Sequence, residues 1–129
     1  MRVLVAGSTT WTDREAIRQE LSKLAPGSSV IAGDSPGADA LALEEARSLG
    51  LVAVPMAKSK QDYARYRRAA WKGLNERMLA AGVNRVLVFH PAIEKSRGSK
   101  HLIELANAAG VEVQLVSGES PTEFKSNQA

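Results

Sequence analysis

A single doubly wound α/β domain with a mainly parallel five-stranded sheet is the fold class that this chain of 129 residues predicts. Three observations carry that expectation. Short apolar runs rich in β-branched residues (VLVA, VIA, LVAV, VLVF) read as strands buried on both faces, because a parallel sheet covered by helices leaves no polar side. Those runs alternate with stretches of helical period that stop at glycine, the pattern of right-handed β-α-β crossovers. Small polar loops follow the strands, so each loop leads into a helix N-terminus with its unpaired N–H groups and positive dipole end.

Taken in order, Arg2 to Ala6 is the first strand, followed by the loop Gly7-Ser8-Thr9-Thr10-Trp11. The first helix is expected over Asp13 to Leu24, with Ala16, Ile17, Leu21 and Leu24 on one face, Thr12 as cap and Pro26-Gly27 as stop. Ser29 to Ala32 is the second strand, and Ala38 to Leu49 a helix closed by Gly50. Leu51 to Pro55 is the third strand, after which residues 58–71 show no clear period and are expected as a crossover with some helical content. Leu74 to Ala81 reads as a helix ending at Gly82, Arg85 to Phe89 as the fourth strand, and Ser99 to Ala109 as a helix that Ser99 caps and Gly110 ends. Glu112 to Val116 is the fifth strand. The domain therefore spans 1–116, and the polar run at 117–129 is expected to be a flexible tail. The simplest strand order is 3-2-1-4-5. Its crossovers reverse between the first and fourth strands, which puts a crevice where Gly7 to Trp11 faces His90 to Ser99, with Gly33 to Asp39 beside it.

Composition narrows the chemistry. At 44% hydrophobic and 24% charged residues the chain is in the ordinary globular range, with room for one core and no second domain. The absence of cysteine excludes disulfides, thiolate nucleophiles and cysteine zinc sites, and fits a reducing cytoplasm, the expected location. With His90 and His101 as the only histidines, no protein metal site is expected; a magnesium ion accompanying a bound phosphate is the one metal admitted. No segment approaches the roughly 18 apolar residues of a membrane span, so no membrane partner is expected. A net charge of +3 and a pI near 9.4 suit anionic partners without selecting one.

The loops carry a more specific signal. The opening VAGSTTWTD is similar to a glycine, serine, arginine, aromatic pattern, AGDSPGADALALEEA to a glycine-glycine-x-x-glycine-alanine-aspartate helix start, and Asn75 with Met78 to an asparagine-x-x-methionine pair. The segment FHPAIEKSRGSKHLIELA is similar to a longer fourth loop closing on a basic residue, glycine, then threonine or serine. Over about residues 1 to 116 the chain thus resembles the YspA-like family of the SLOG superfamily, the Rossmann-like group that also includes the DprA and LOG proteins. The resemblance implies a Rossmann-like fold, binding of a nucleotide or nucleotide-derived ligand, and a homo-oligomer in which a neighbouring subunit completes the pocket. Three residues depart from the pattern: Thr9 and Leu74 stand where arginine is usual, and Asp34 replaces the second glycine of the pair. The LOG catalytic loop is only partly reproduced, by Gly98 and Ser99, with Glu104 further on.

Each candidate residue admits a structural role as well as a functional one. Gly7, Ser8 and Thr9 can bring N–H and hydroxyl groups to a ligand or simply form a tight turn. Trp11 can stack on a base or pack the first helix onto the sheet. Gly33, Gly37 and Ala38 permit close backbone approach to a ligand, or punctuate a strand-to-helix connection. Asp39 can cap its helix or accept ribose hydroxyls, and Asp34 can hold a sugar hydroxyl or a metal, or serve loop solubility. Asn75 can bond a ligand or a neighbouring loop. Arg97, Gly98 and Ser99 together suit a phosphate clamp, arginine for charge, glycine for approach and serine as donor. Acid-base candidates are Asp39, His90, Glu94 and Glu104. Residues 58–77 add a basic stretch interleaved with Tyr63, Tyr66 and Trp71, the composition of a single-strand nucleic-acid surface or of a flap over the pocket. Three readings follow: sensing or sequestering a nucleotide-derived molecule, a LOG-like hydrolase or transferase acting on one, and DprA-like binding of single-stranded DNA.

Overall fold

The computed structural model describes residues 1–118. Five strands, β1 (Arg2–Gly7), β2 (Ser29–Ala32), β3 (Val52–Pro55), β4 (Arg85–Phe89) and β5 (Glu112–Val116), form one all-parallel sheet in the order β3-β2-β1-β4-β5, as expected. Its helices are α1 (Arg14–Leu21), α2 (Ala38–Ser48), α3 (Lys60–Tyr66), α4 (Trp71–Ala80) and α5 (Arg97–Ala108), with a 3-10 turn at Arg67–Ala69 between α3 and α4 and another at Ile93–Lys95.

Alternation along the strands splits the core between two faces. Val3, Val5, Val30, Leu87 and Phe89 point to the side covered by α1 and α2, meeting Ile17, Leu21 and Ala42. Leu4, Ile31, Val86 and Val88 point to the other, meeting Leu74 and Met78 of α4 and Leu102 of α5. Both faces are dry, which is why the strand runs are apolar throughout. The edge strands depart from that rule: Val52 of β3 is 50% exposed and Leu115 of β5 is 44% exposed, because each has a neighbour on one side only.

Helix starts also differ from expectation, each for a capping reason. The first helix is capped by Asp13 rather than Thr12, its Oδ1 accepting from the Ala16 N–H at 3.1 Å. Ser96, not Ser99, caps α5: Ser96 Oγ accepts from the Ser99 N–H at 3.1 Å, so the helix begins before the predicted point. Asp39 does not cap α2, whose cap residue is Gly37 with no side-chain bond. Residues 58–71 are more ordered than their periodicity suggests. Ser59 and Asp62 form a reciprocal capping box at the start of α3, and the buried Asp62 carboxylate then takes the Arg77 guanidinium from α4. Gly73 makes room for this pair, since a Cβ there would collide with the Asp62 carboxylate. The expected tail at 117–129 lies, from residue 119 onward, outside the described residues. Among those described, no helix is long and apolar enough to cross a membrane.

Candidate functional site

Reversal of the crossovers between β1 and β4 opens the sheet at its C-terminal edge, and a cleft of about 680 Å³ lies there. Ala6 and Gly7 at the end of β1 form part of its lining. Gly7 is needed for the strands to meet, because a Cβ would run into the Phe89 carbonyl oxygen of β4. Gly37 has φ 76°, and a Cβ on it would strike the backbone of Ser8 and Thr9. That close approach lets the Ala38 N–H donate to the Ser8 carbonyl at 3.0 Å, joining the first two loops.

Of the residues singled out above, the cleft brings together Gly7, Thr9, Asp34, Asp39, Asn75 and the triplet Arg97, Gly98 and Ser99. Others serve the framework. Ser8 is buried, its Oγ bonded to Thr10 Oγ1 at 2.9 Å and accepting from the Thr10 N–H at 3.1 Å. Trp11 is also buried: it packs on Phe89 at 5.7 Å and its indole N–H donates to the Asp13 carbonyl at 2.9 Å, so its ring faces the core and not the cleft. Gly37 and Ala38 hold the loop junction, and Gly33 lines a smaller, largely apolar recess beside the cleft, together with Asp34 and Ser35. His90, Glu94 and Glu104 do not line the cleft. His90 Nδ1 instead accepts from the Ala92 N–H at 2.9 Å, while Glu94 and Glu104 are exposed.

Several lining residues were not marked by the loop motifs: Ser35, Lys58, Arg68, Trp71, Leu74 and Ser96. Lys58, Arg68, Trp71 and Leu74 belong to the stretch at 58–77 after β3, whose basic and aromatic residues were the available signal. Once α3 and α4 fold, Arg68 and Trp71 reach the cleft wall.

Charge in the cleft is largely settled by neighbours. Burial pushes the Asp34 carboxyl up, but hydrogen bonds from Lys58 outweigh it, from Nζ at 2.7 Å and from the backbone N–H at 3.1 Å, and hold the group below its usual range. Asp39 has no ion-pair partner among the described residues, and the nearby Lys58 offsets its burial only in part. Its one bond is from the Ser35 N–H at 3.3 Å, and with Asp34 nearby its carboxyl is pushed up to about 6. A carboxyl with that pKa exchanges a proton near neutrality and can accept from or donate to a ligand hydroxyl. Across the cleft, Asn75 Nδ2 donates to the Gly98 carbonyl at 3.1 Å and lies 3.1 Å from His101 Nδ1. The carbonyl requires the amide NH2 on that side, so His101 accepts through Nδ1 and carries its proton on Nε2. Burial and the nearby Lys72 lower the His101 pKa, which favours that neutral ring.

Fold and cleft together define a Rossmann-like α/β domain with its pocket at the switch point. Residues 1–63 match the model of the YspA, cpYpsA-related SLOG family, the family that the opening loops resemble. The fold is similar to that in the X-ray structure of DNA processing protein A (DprA) from Streptococcus pneumoniae, with a TM-score of 0.71 and 16% identity over 92% of this chain and 50% of that one. The chain thus spans about half the length of that structural relative. Comparison with curated proteins gave no match.

Proposed function

We propose that the cleft binds a nucleotide-derived ligand, which the protein senses or sequesters, with a phosphate at the N-terminus of α5 and the sugar toward Asp39. One observation carries this reading. Ser99 and Asn75 are 5% and 8% exposed and both line the cleft, and among the described residues Ser99 Oγ and Asn75 Oδ1 make no hydrogen bond and are not sealed from solvent, so both are open to the cleft. Two unpaired polar atoms that open into the cleft beside the N-terminus of α5 are available to a ligand there. Arg97 and Gly98 beside them supply charge and close approach. Trp71, half-buried on the same wall, takes the base-stacking role first open to Trp11.

Thermal shift against nucleoside monophosphates, cyclic dinucleotides and ADP-ribose, with and without magnesium, tests the proposal. A ligand at about 100 times its Kd should add about 2.7 kcal/mol of stability. Ser99→Ala should melt like the wild type alone and lose most of the ligand-induced shift. Flat melting curves for the wild type across the panel would refute the reading.

Two alternatives rest on narrower observations. Only Asp39 of the four acid-base candidates lines the cleft, so a hydrolase or transferase would depend on it; release of base from AMP, abolished by Asp39→Asn, is the corresponding assay. DprA-like binding of single-stranded DNA is favoured by the exposed Arg65, Arg67 and Arg68 with Tyr63, which is 50% exposed, in the stretch that leads to the cleft residue Arg68. That reading requires affinity that falls steeply with added salt.

A further inference from the structure

We propose that Arg68 is a ligand-binding residue which, together with Arg97 of the same cleft, selects a doubly charged phosphate monoester over a singly charged diester. The inference rests on the cleft reading above.

It begins from the cations near the cleft. Lys58 is taken by Asp34, and Arg77 by Asp62 and the Ala57 carbonyl. Arg68 and Arg97 line the cleft, and among the described residues neither has a carboxylate within ion-pair distance. They come from separate elements, Arg68 from the 3-10 turn ahead of α4 and Arg97 from the first turn of α5. Those helices are held together at their N-terminal ends by the Asn75–Gly98 bond and by Trp71 packed edge-on to His101. The two arginines therefore start from elements that are held against each other.

The turn that carries Arg68 is unusually constrained for a surface crossover. Arg67 adopts φ 56° and ψ −122°, a conformation natural to glycine, and is the one non-glycine residue with positive φ among those described. Bonds on either side hold it there: Asp62 with Arg77, and the Tyr66 hydroxyl donating to Glu76 at 2.6 Å. Of the exposed arginines in this stretch, Arg65, Arg67 and Arg68, only Arg68 lines the cleft. A solvated charge run has no need of a constrained turn that brings one member to the cleft.

Charge then indicates the ligand. Asp34 is neutralised by Lys58, and Asp39, bonded to the Ser35 N–H on the side assigned above to the sugar, is not part of the arginine clamp. The clamp is complemented by a group with two negative charges, which a terminal phosphate carries at neutral pH and a cyclic diester does not.

Calorimetric titration at pH 7.5 and low salt with AMP, 3′,5′-cyclic AMP and adenosine tests this on the full chain. Wild type should bind AMP most tightly. Arg68→Gln should weaken AMP by about ten-fold or more, the size expected for a charge-assisted bond, and narrow the preference over cyclic AMP while leaving adenosine unchanged. Arg68→Lys should recover part of the loss. Arg47→Gln, on the exposed side of α2, removes the same charge far from the cleft and should bind as wild type does. Unchanged AMP affinity in Arg68→Gln, with Arg97→Gln weakened, would overturn the role of Arg68 and leave the cleft reading standing. Wild-type protein that binds none of the three would overturn both.

Discussion

Replacing Asp39 with asparagine should stabilise the protein at alkaline pH, although it removes a charged residue from a helix start where carboxylates are normally welcome. The carboxyl ionises near 3.8 in an unfolded chain and at about 6 in the folded one. At about 1.36 kcal/mol per pH unit, that difference is a penalty of up to about 3 kcal/mol for keeping the group ionised, reduced to roughly 1–3 kcal/mol by its partial exposure to the cleft. Because the folded-state pKa is the higher one, the contribution of Asp39 is fully present below about pH 4 and is lost as pH rises through about 6. Asparagine keeps an acceptor for the Ser35 N–H and never ionises. Urea unfolding of wild type and Asp39→Asn at pH 4 and pH 8 should therefore give similar stabilities at the lower pH and a more stable variant at the higher. A variant that is less stable at pH 8, or a gap that does not change with pH, would show that the carboxyl is not strained. The expected result has functional meaning, since a residue retained against stability is one held for what enters the cleft.

Asp62 should behave oppositely. The Arg77 hydrogen bond holds its carboxyl down at about 2, so its contribution is complete above about pH 4 and disappears as pH falls toward 2; Asp62→Asn should cost about 2 kcal/mol at pH 7 in urea unfolding and almost nothing near pH 2. Arg67→Gly should relieve the positive-φ turn and raise stability by about 1 kcal/mol, seen as a higher Tm, while loosening the position of Arg68. Gly37→Ala places a methyl group against the Ser8 and Thr9 backbone, and should lower stability by roughly 1–3 kcal/mol and speed hydrogen exchange of the Ala38 amide.

Much of this molecule follows from local pattern. Apolar runs separated by glycine-terminated helices determine five parallel strands, and the simplest right-handed winding gives their order, so the sequence alone places the first, second and fourth loops at one edge of the sheet. It also points to Asp39, Asn75 and Arg97 to Ser99 as residues of that edge, all of which line the cleft. It could not tell Trp11 from Trp71. Each is an aromatic residue near a helix start, and whether its ring meets Phe89 in the core or the open cleft depends on elements many residues away. Nor could it separate Ser96 from Ser99, because either serine can cap and only the path of the chain after the Ile93–Lys95 turn decides which hydroxyl faces the helix amides. The basic crossover is the largest gap. Its helices are held by Asp62 and Arg77, and by Tyr66 and Glu76, pairs that form only once α3 has folded back on α4. Periodicity reports which side of an element is buried; the direction of a charged side chain on a connecting turn is set through space, by contacts that the order of residues does not contain.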